Sequence, residues 1–127
     1  MADGEDEGGM ETFPGVFVSN VATDAWQPDP EVGGDLHVLV EDERAYAGMS
    51  RFTDRSVVGP WTLPEREVIL VLEGAARITI DGGPTLSLGV GDLASLPKGA
   101  VTTWELTLPY KEMWFFGRPY EATSAED

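Results

Sequence analysis

The sequence predicts a single all-β domain whose short strands close into a barrel or sandwich. From Leu36 onward, short apolar stretches alternate with turns rich in Gly, Pro and Asp about every ten residues, a spacing typical of all-β folds. No window of a dozen residues shows the 3.6-residue period of an amphipathic helix. We therefore expect very little helix.

The predicted strands follow from the apolar stretches and the turns between them. Asp81-Gly82-Gly83 predicts a hairpin, because glycine tolerates the positive φ angles of tight turns. Pro97-Lys98-Gly99 predicts another turn, where proline fixes one φ angle. A short strand at 14–20 and a loop at 23–35 come first. The strands predicted after them are 36–41, 45–53, 57–63, 67–73, 75–81, 84–88, 92–96, 101–107 and 110–116.

Length and composition set the domain organisation. A chain of 127 residues supports one domain with one core. We expect a disordered acidic leader at 1–12, a barrel with an N-terminal strand at 13–119, and a flexible tail at 120–127. The absence of cysteine excludes disulfides and thiolate ligands.

The net charge of the chain limits the classes of partner that it can bind. With 23 acidic and 8 basic residues the net charge is −15, which would repel a phosphate backbone, so no nucleic-acid partner is expected. A solvated acidic surface or a high-salt habitat would each give this balance. The longest aliphatic run, Val68–Leu72, falls far short of the ~20 apolar residues that span a bilayer, and no secretory signal is visible. No membrane partner and a cytoplasmic location are the expectation.

Two spacings carry a family resemblance. Glu67 precedes Gly74 by six intervening residues, and Gly91 is followed after five residues by Pro97-Lys-Gly99. These match the glycine, proline and glutamate landmarks of the two cupin motifs. The segments Gly99-Ala-Val-Thr-Thr-Trp-Glu-Leu and Pro109-Tyr-Lys-Glu-Met-Trp further resemble small single-domain cupins related to ureidoglycine aminohydrolase and an ethanolamine-utilisation protein. The resemblance covers roughly residues 45–117. It implies a single cupin barrel (a double-stranded β-helix, or jelly roll) and a homodimer in which the N-terminal strand packs on the partner.

The chain departs from the cupin pattern at the metal ligands. The two histidine positions of the first motif fall on Pro60 and Thr62, or on Trp61 and Leu63, and the histidine of the second motif falls on Thr102. Only the glutamate, Glu67, remains. Because transition metals need three or four protein ligands, usually including imidazole, we expect no metal and no cofactor. The only histidine, His37, lies before the motifs and is expected to be a surface or packing residue.

Glu67 is the candidate catalytic residue. An inward carboxylate in an apolar cavity has a raised pKa, which suits it to general acid or base chemistry near neutrality. Two other roles stay open: a structural ion pair with Arg51, Arg66 or Arg77, and exposure to solvent at the barrel mouth. The candidate substrate-binding residues are Thr102, Trp104, Trp61, Thr62, Met49, Arg51, Tyr46 and Trp114.

Three functions are compatible with these residues. The first is a metal-independent cupin that binds a small organic molecule and catalyses an isomerisation, cyclisation, elimination or hydrolysis, with Glu67 as acid/base and Thr102 and the tryptophans positioning the substrate. The second is a non-catalytic metabolite-binding or sensor cupin. The third, a metalloenzyme like ureidoglycine aminohydrolase, is disfavoured by the missing histidines. Trp61, Trp104 and Trp114 form either an aromatic box for a flat ligand or part of the core.

Overall fold

The computed structural model describes residues 9–117, which form ten strands and no helix. The strands are β1 Met10–Phe13, β2 Val16–Val18, β3 Gln27–Pro28, β4 Asp35–Glu41, β5 Ala45–Phe52, β6 Val57–Thr62, β7 Glu67–Ile80, β8 Thr85–Gly89, β9 Leu93–Leu96 and β10 Val101–Gly117. The all-β prediction is therefore confirmed. The tail at 120–127 and most of the predicted leader lie outside the described residues.

Two long antiparallel strands, β7 and β10, belong to both layers of the barrel. In one layer, the first part of β7 pairs with β9 on one side and with the last part of β10 on the other. The last part of β10 also pairs with β5, and β5 pairs with β4. The second part of β7 pairs with β8 and with the first part of β10, which pairs with β6. Strands that pass from one layer to the other form the corners of such folds. The two layers face each other around one core.

The corner lies where β7 and β10 bend together. The β7–β10 register shifts between Thr107 and Glu112, and on β7 the bend coincides with Gly74, whose φ is 76°. A Cβ at Gly74 would collide with the carbonyl oxygens of Thr107 and Pro109. Only glycine combines this φ with so close an approach of the neighbouring strand. The sequence predicted a break here, at 73–75 and 107–110, where the structure has bent but continuous strands.

Alternation along β7 and β10 places their apolar side chains inside. On β7 the buried residues include Ile69, Val71, Ala76 and Ile78, and the change from odd to even numbers falls at the Gly74 bend. On β10 the buried positions are even-numbered, from Thr102 to Phe116. This two-residue period is that of strands with one face in a core.

The N-terminal part differs from its prediction. In place of one strand at 14–20, β1 and β2 form a hairpin that turns at Gly15, whose φ is 81°. Met10–Phe13 is thus a strand, although residues 10–12 were assigned to the disordered leader. No helix of residues 9–117 is long and apolar enough to cross a membrane.

Candidate functional site

A cavity of about 450 Å³ opens between the two layers of the barrel. Its walls are mainly aromatic and aliphatic, and its charged lining groups are all carboxyl groups. The lining residues are Asp29, Glu31, Val32, Leu36, Glu43, Tyr46, Ser50, Phe52, Val58, Trp61, Pro64, Glu65, Glu67, Trp104, Leu106, Tyr110, Glu112, Trp114 and Phe116. A concave, largely apolar cavity with a few polar groups is the usual form of a small-molecule site.

Glu67 begins β7 and turns its side chain into this cavity. The residue is only 2% exposed, and its Oε1 atom has no hydrogen-bond partner. The three arginines considered as ion-pair partners are engaged elsewhere: Arg51 with Asp35 at 3.0 Å, Arg77 with Glu105 at 3.7 Å, and Arg66 with the Ser95 hydroxyl at 2.7 Å. The structure therefore contradicts both the ion-pair role and the solvent-exposed role of Glu67.

Glu112 is a second buried carboxyl group in the same cavity. It is 5% exposed and lies on β10, where it pairs with Val71 of β7. The Tyr110 hydroxyl donates a hydrogen bond of 2.5 Å to its Oε1 atom. A short hydrogen bond of this kind is typical of a donor facing an ionisable acceptor. Glu112 is thus held in place, whereas Oε1 of Glu67 is free to meet a ligand.

The environment opposes ionisation of all three groups. Burial, and then the nearby Glu112 carboxylate, raise the pKa of Glu67 well above its ordinary value. Burial also raises the pKa of Glu112 to about 7, although the Tyr110 hydrogen bond acts in the opposite direction. Burial, followed by the charge of Glu112, raises the pKa of Tyr110. Carboxyl groups whose pKa lies near neutrality can both donate and accept protons.

The aromatic residues form one wall of the cavity. Tyr46, Trp114 and Phe116 have ring centroids between 4.8 and 5.9 Å apart, and Trp61 meets Phe116 edge to face at 6.0 Å. Trp114 donates its indole N–H to the Ser50 hydroxyl at 2.8 Å. Since these rings pack on one another and also line the cavity, they act as core and as cavity wall at the same time. The two roles considered for the tryptophans are therefore not exclusive.

Four predicted site residues do not reach the cavity. Thr62 is exposed, because it follows Trp61 on β6 and so points to the opposite face. Met49 and Arg51 share the outer face of β5, whereas Tyr46 and Ser50 line the cavity from the inner face. On that outer face Arg51 lies 4.5 Å from the Trp26 ring centroid.

Thr102, the fourth, is fully buried with its hydroxyl already engaged. It donates to the Trp61 carbonyl oxygen at 3.0 Å and accepts the Trp104 indole N–H at 2.8 Å. This hydroxyl orients the Trp104 indole and holds the backbone of Trp61, and it does not itself line the cavity. Of the candidate site residues, the structure places Glu67, Trp61, Trp104, Tyr46 and Trp114 around the cavity.

The donors present do not fit a cupin metal. The positions of the missing histidines hold either Pro60 and Thr62 or Trp61 and Leu63, together with the engaged hydroxyl of Thr102. Among residues 9–117 no three His, Cys, Asp or Glu side chains converge into a group that could hold a metal ion. A transition metal requires more nitrogen, sulfur or carboxylate donors than this. His37 is buried outside the cavity, where its ring nitrogens contact the Ser19 hydroxyl and the Ala25 carbonyl oxygen at 2.7 Å each.

Sequence reasoning missed Glu112 and Tyr110. The signal was available, because both lie an even number of residues before Trp114, which was predicted to face the cavity. On a strand this spacing places all three side chains on one face. A buried glutamate is rare, however, and nothing in the local sequence distinguishes it from an exposed one.

Comparison with known proteins identifies the fold independently. A family model described as the EutQ-like cupin domain matches residues 40–114. Among solved structures, the protein from Salmonella typhimurium LT2 assigned as ethanolamine utilization protein Q is 22% identical, with a TM-score of 0.72 over 88% of this chain and 94% of that one. No curated protein matches the sequence significantly.

Two further structures extend the likeness. KdgF from a Halomonas species is 21% identical, with a TM-score of 0.62 over 83% of this chain and 96% of that one. A protein from Ralstonia eutropha JMP134 assigned as a mannose-6-phosphate isomerase is 16% identical, with a TM-score of 0.64 over 80% and 98%. At these identities the likeness shows a shared fold.

Proposed function

This chain belongs to the EutQ-like cupin family, and we propose that it binds a small organic molecule in the barrel cavity and exchanges a proton with it through Glu67. The observation that carries the proposal is the Oε1 atom of Glu67, which alone among the buried side-chain nitrogen and oxygen atoms of residues 9–117 has no hydrogen-bond partner. A buried polar atom without a partner costs about 1–3 kcal/mol, so its presence in a cavity favours a role with a ligand.

The surroundings of Glu67 support proton transfer rather than simple packing. Burial and the neighbouring Glu112 both raise its pKa, which favours its protonated form and suits it to proton transfer with a bound molecule. Glu112, fixed by Tyr110, supplies a second titrating group that influences the first. Two interacting carboxyl groups of this kind can divide acid and base roles between them. The donor set around Glu67 favours a reaction that needs no metal.

The experiment is a fragment screen followed by a proton-exchange assay. Fragments that bind the wild type, detected by ligand-observed NMR, are incubated with the protein in D₂O and examined for deuterium at carbon. We expect exchange catalysed by the wild type and reduced by ~10²–10⁴-fold in Glu67→Gln, the usual effect of losing a general acid or base. Glu73→Gln, which changes an exposed glutamate on the same strand, is the matched control.

The same assay separates the enzyme from a non-catalytic sensor. A fragment that binds the wild type and is never exchanged, with equal results in Glu67→Gln, would contradict the catalytic role of Glu67 and favour a metabolite-binding cupin. Failure of every fragment to bind would contradict the whole proposal.

We further propose that the protein forms a homodimer. The β1–β2 hairpin exposes Met10 and Phe13, each at about 70%. The outer face of the barrel carries a second apolar group on β7, β9 and β10, formed by Val68, Leu93, Met113 and Phe115. Exposed apolar groups of this size mark interaction surfaces. A hairpin that packs on the partner's outer face would cover both.

A further inference from the structure

We infer that the ligand of this cavity is a small organic cation, a protonated amine carried on an apolar or aromatic body. The inference rests on the proposed small-molecule function and names its substrate class. Three independent features of the cavity support it: the sign of its charged groups, the missing donor at Glu67, and its aromatic wall.

Every charged group that lines the cavity is acidic. Six of the lining residues carry carboxyl groups, and no Lys, Arg or His of residues 9–117 lines it. The two buried ones, Glu67 and Glu112, form the floor of the cavity. The other four form its rim: Asp29, Glu31, Glu43 and Glu65. Lys98 lies 3.8 Å from Glu65 and partly offsets that one rim charge. A cavity of one sign attracts the opposite charge and repels its own, so an anionic ligand is disfavoured.

The missing hydrogen-bond donor distinguishes an amine from other cations. Oε1 of Glu67 is buried, lines the cavity and has no partner, so in its ionised form it can accept a hydrogen bond from an N–H or O–H group of the ligand. An ammonium group supplies that donor together with the charge that buried carboxylates need. A quaternary ammonium ion would supply the charge without the donor.

The aromatic wall of the cavity suits the apolar body of such a cation. Trp61, Trp114 and Phe116 face the cavity together with Tyr46. Aromatic faces attract cations, and they bury the apolar body that carries one. A volume of about 450 Å³ accommodates a single-ring amine.

The binding of a cationic ligand is then linked to the ionisation of the two floor carboxyl groups. The groups that face the ligand are the two floor carboxyl groups, the Tyr110 hydroxyl and the four rim acids. A bound ammonium group stabilises the ionised floor carboxylates and so releases protons from them. Binding should therefore tighten as the pH rises from 5.5 to 8, while the ligand stays protonated. An ionised Glu67 beside the bound amine is also the form that can act as a base.

The test compares three ligands of similar shape by isothermal titration calorimetry: benzylamine, benzyl alcohol and benzoate. At pH 7.5 we expect benzylamine to bind at least ~10-fold more tightly than benzyl alcohol, as a charge-assisted hydrogen bond implies, and benzoate not to bind. Benzylamine should release protons on binding, measured in two buffers of different ionisation enthalpy.

Variants separate the site from the general acidity of the surface. Glu67→Gln should reduce the affinity for benzylamine to that for benzyl alcohol, and Glu112→Gln should do so in part, with folding checked by circular dichroism. Glu73→Gln should bind like the wild type. Benzyl alcohol or benzoate binding as tightly as benzylamine would overturn the cationic ligand and leave the small-molecule function standing. Absence of binding by all three would contradict both.

Discussion

Glu67 and Glu112 extend from adjacent antiparallel strands into one cavity, and the Glu112 carboxylate raises the pKa of Glu67. Glu112 is held by the Tyr110 hydroxyl, whereas Oε1 of Glu67 has no partner. The surroundings of these two buried carboxyl groups resist their ionisation. We propose that their charge state governs ligand choice and reactivity as well as stability.

The first prediction concerns pH and stability. The folded protein keeps protons on Glu67 and Glu112 that the unfolded chain releases near pH 4.5. Because folding raises both pKa values, the pair favours the folded state most at low pH, and the contribution of Glu112 is lost as the pH rises from about 4.5 through about 7. We expect the free energy of unfolding, measured in urea, to fall between pH 5 and pH 8.

The matched comparison is the double variant Glu67→Gln/Glu112→Gln. It cannot titrate at these positions, so its free energy of unfolding should depend less on pH and should exceed that of the wild type at pH 8. Identical pH dependence in the two proteins would show that the floor carboxyl groups do not titrate in this window.

The second prediction concerns Thr102. Its hydroxyl joins the Trp61 carbonyl oxygen to the Trp104 indole, away from the cavity lining. Thr102→Val leaves both partners unsatisfied and should lower the free energy of unfolding by about 1–3 kcal/mol. The exposed Thr107→Val on the same strand should change it little. Weakened ligand binding without a loss of stability would restore Thr102 as a binding residue.

The third prediction concerns the corner of the barrel. Gly74→Ala combines a φ of 76° with a collision against two carbonyl oxygens, so it should destabilise the fold by about 3 kcal/mol or more. Gly82, with a φ of 75° and open space around it, is the control, and its change to Ala should cost about 1–2 kcal/mol. Thermal unfolding of both variants gives the comparison. Equal losses would mean that the close approach at the corner is unimportant.

The fourth prediction concerns the proposed dimer. Phe115→Glu places a charge in the apolar group on the outer face and should convert the dimer to a monomer in sedimentation velocity. Val90→Glu, in the exposed turn before β9, should leave the dimer intact. A wild type that sediments as a monomer at micromolar concentration would contradict the dimer directly.

The fold could be predicted from the sequence because its signals are local. Apolar stretches separated by turns rich in Gly and Pro predicted the all-β class, and the cupin barrel followed from the resemblance carried by Glu67, Gly74, Gly91 and Pro97. The continuity of β7 and β10 could not be predicted in this way, because a glycine such as Gly74 usually indicates the end of a strand. Only the structure shows that β10 bends beside Gly74 and that β7 continues through it. Gly15 likewise reads as the start of a strand, where the structure has a turn.

The site was only partly predictable, for a different reason. The direction of a side chain follows from alternation only when the inward face is known. Tyr46 lines the cavity, whereas Met49 and Arg51, an odd number of residues further along β5, lie on its opposite face. Thr102 does point inward, but its engagement by Trp104 depends on the packed indole. The meeting of Glu67 and Glu112 is a property of the tertiary structure.

The most direct test of the central claim is a carboxyl-carbon NMR titration of Glu67 and Glu112, assigned with the single Glu→Gln variants. We expect both signals to titrate above the ordinary value of 4.5, with Glu112 near 7. We also expect removal of Glu112 to lower the pKa of Glu67, since the two groups interact. Two carboxyl groups that titrate independently near 4.5 would contradict the account.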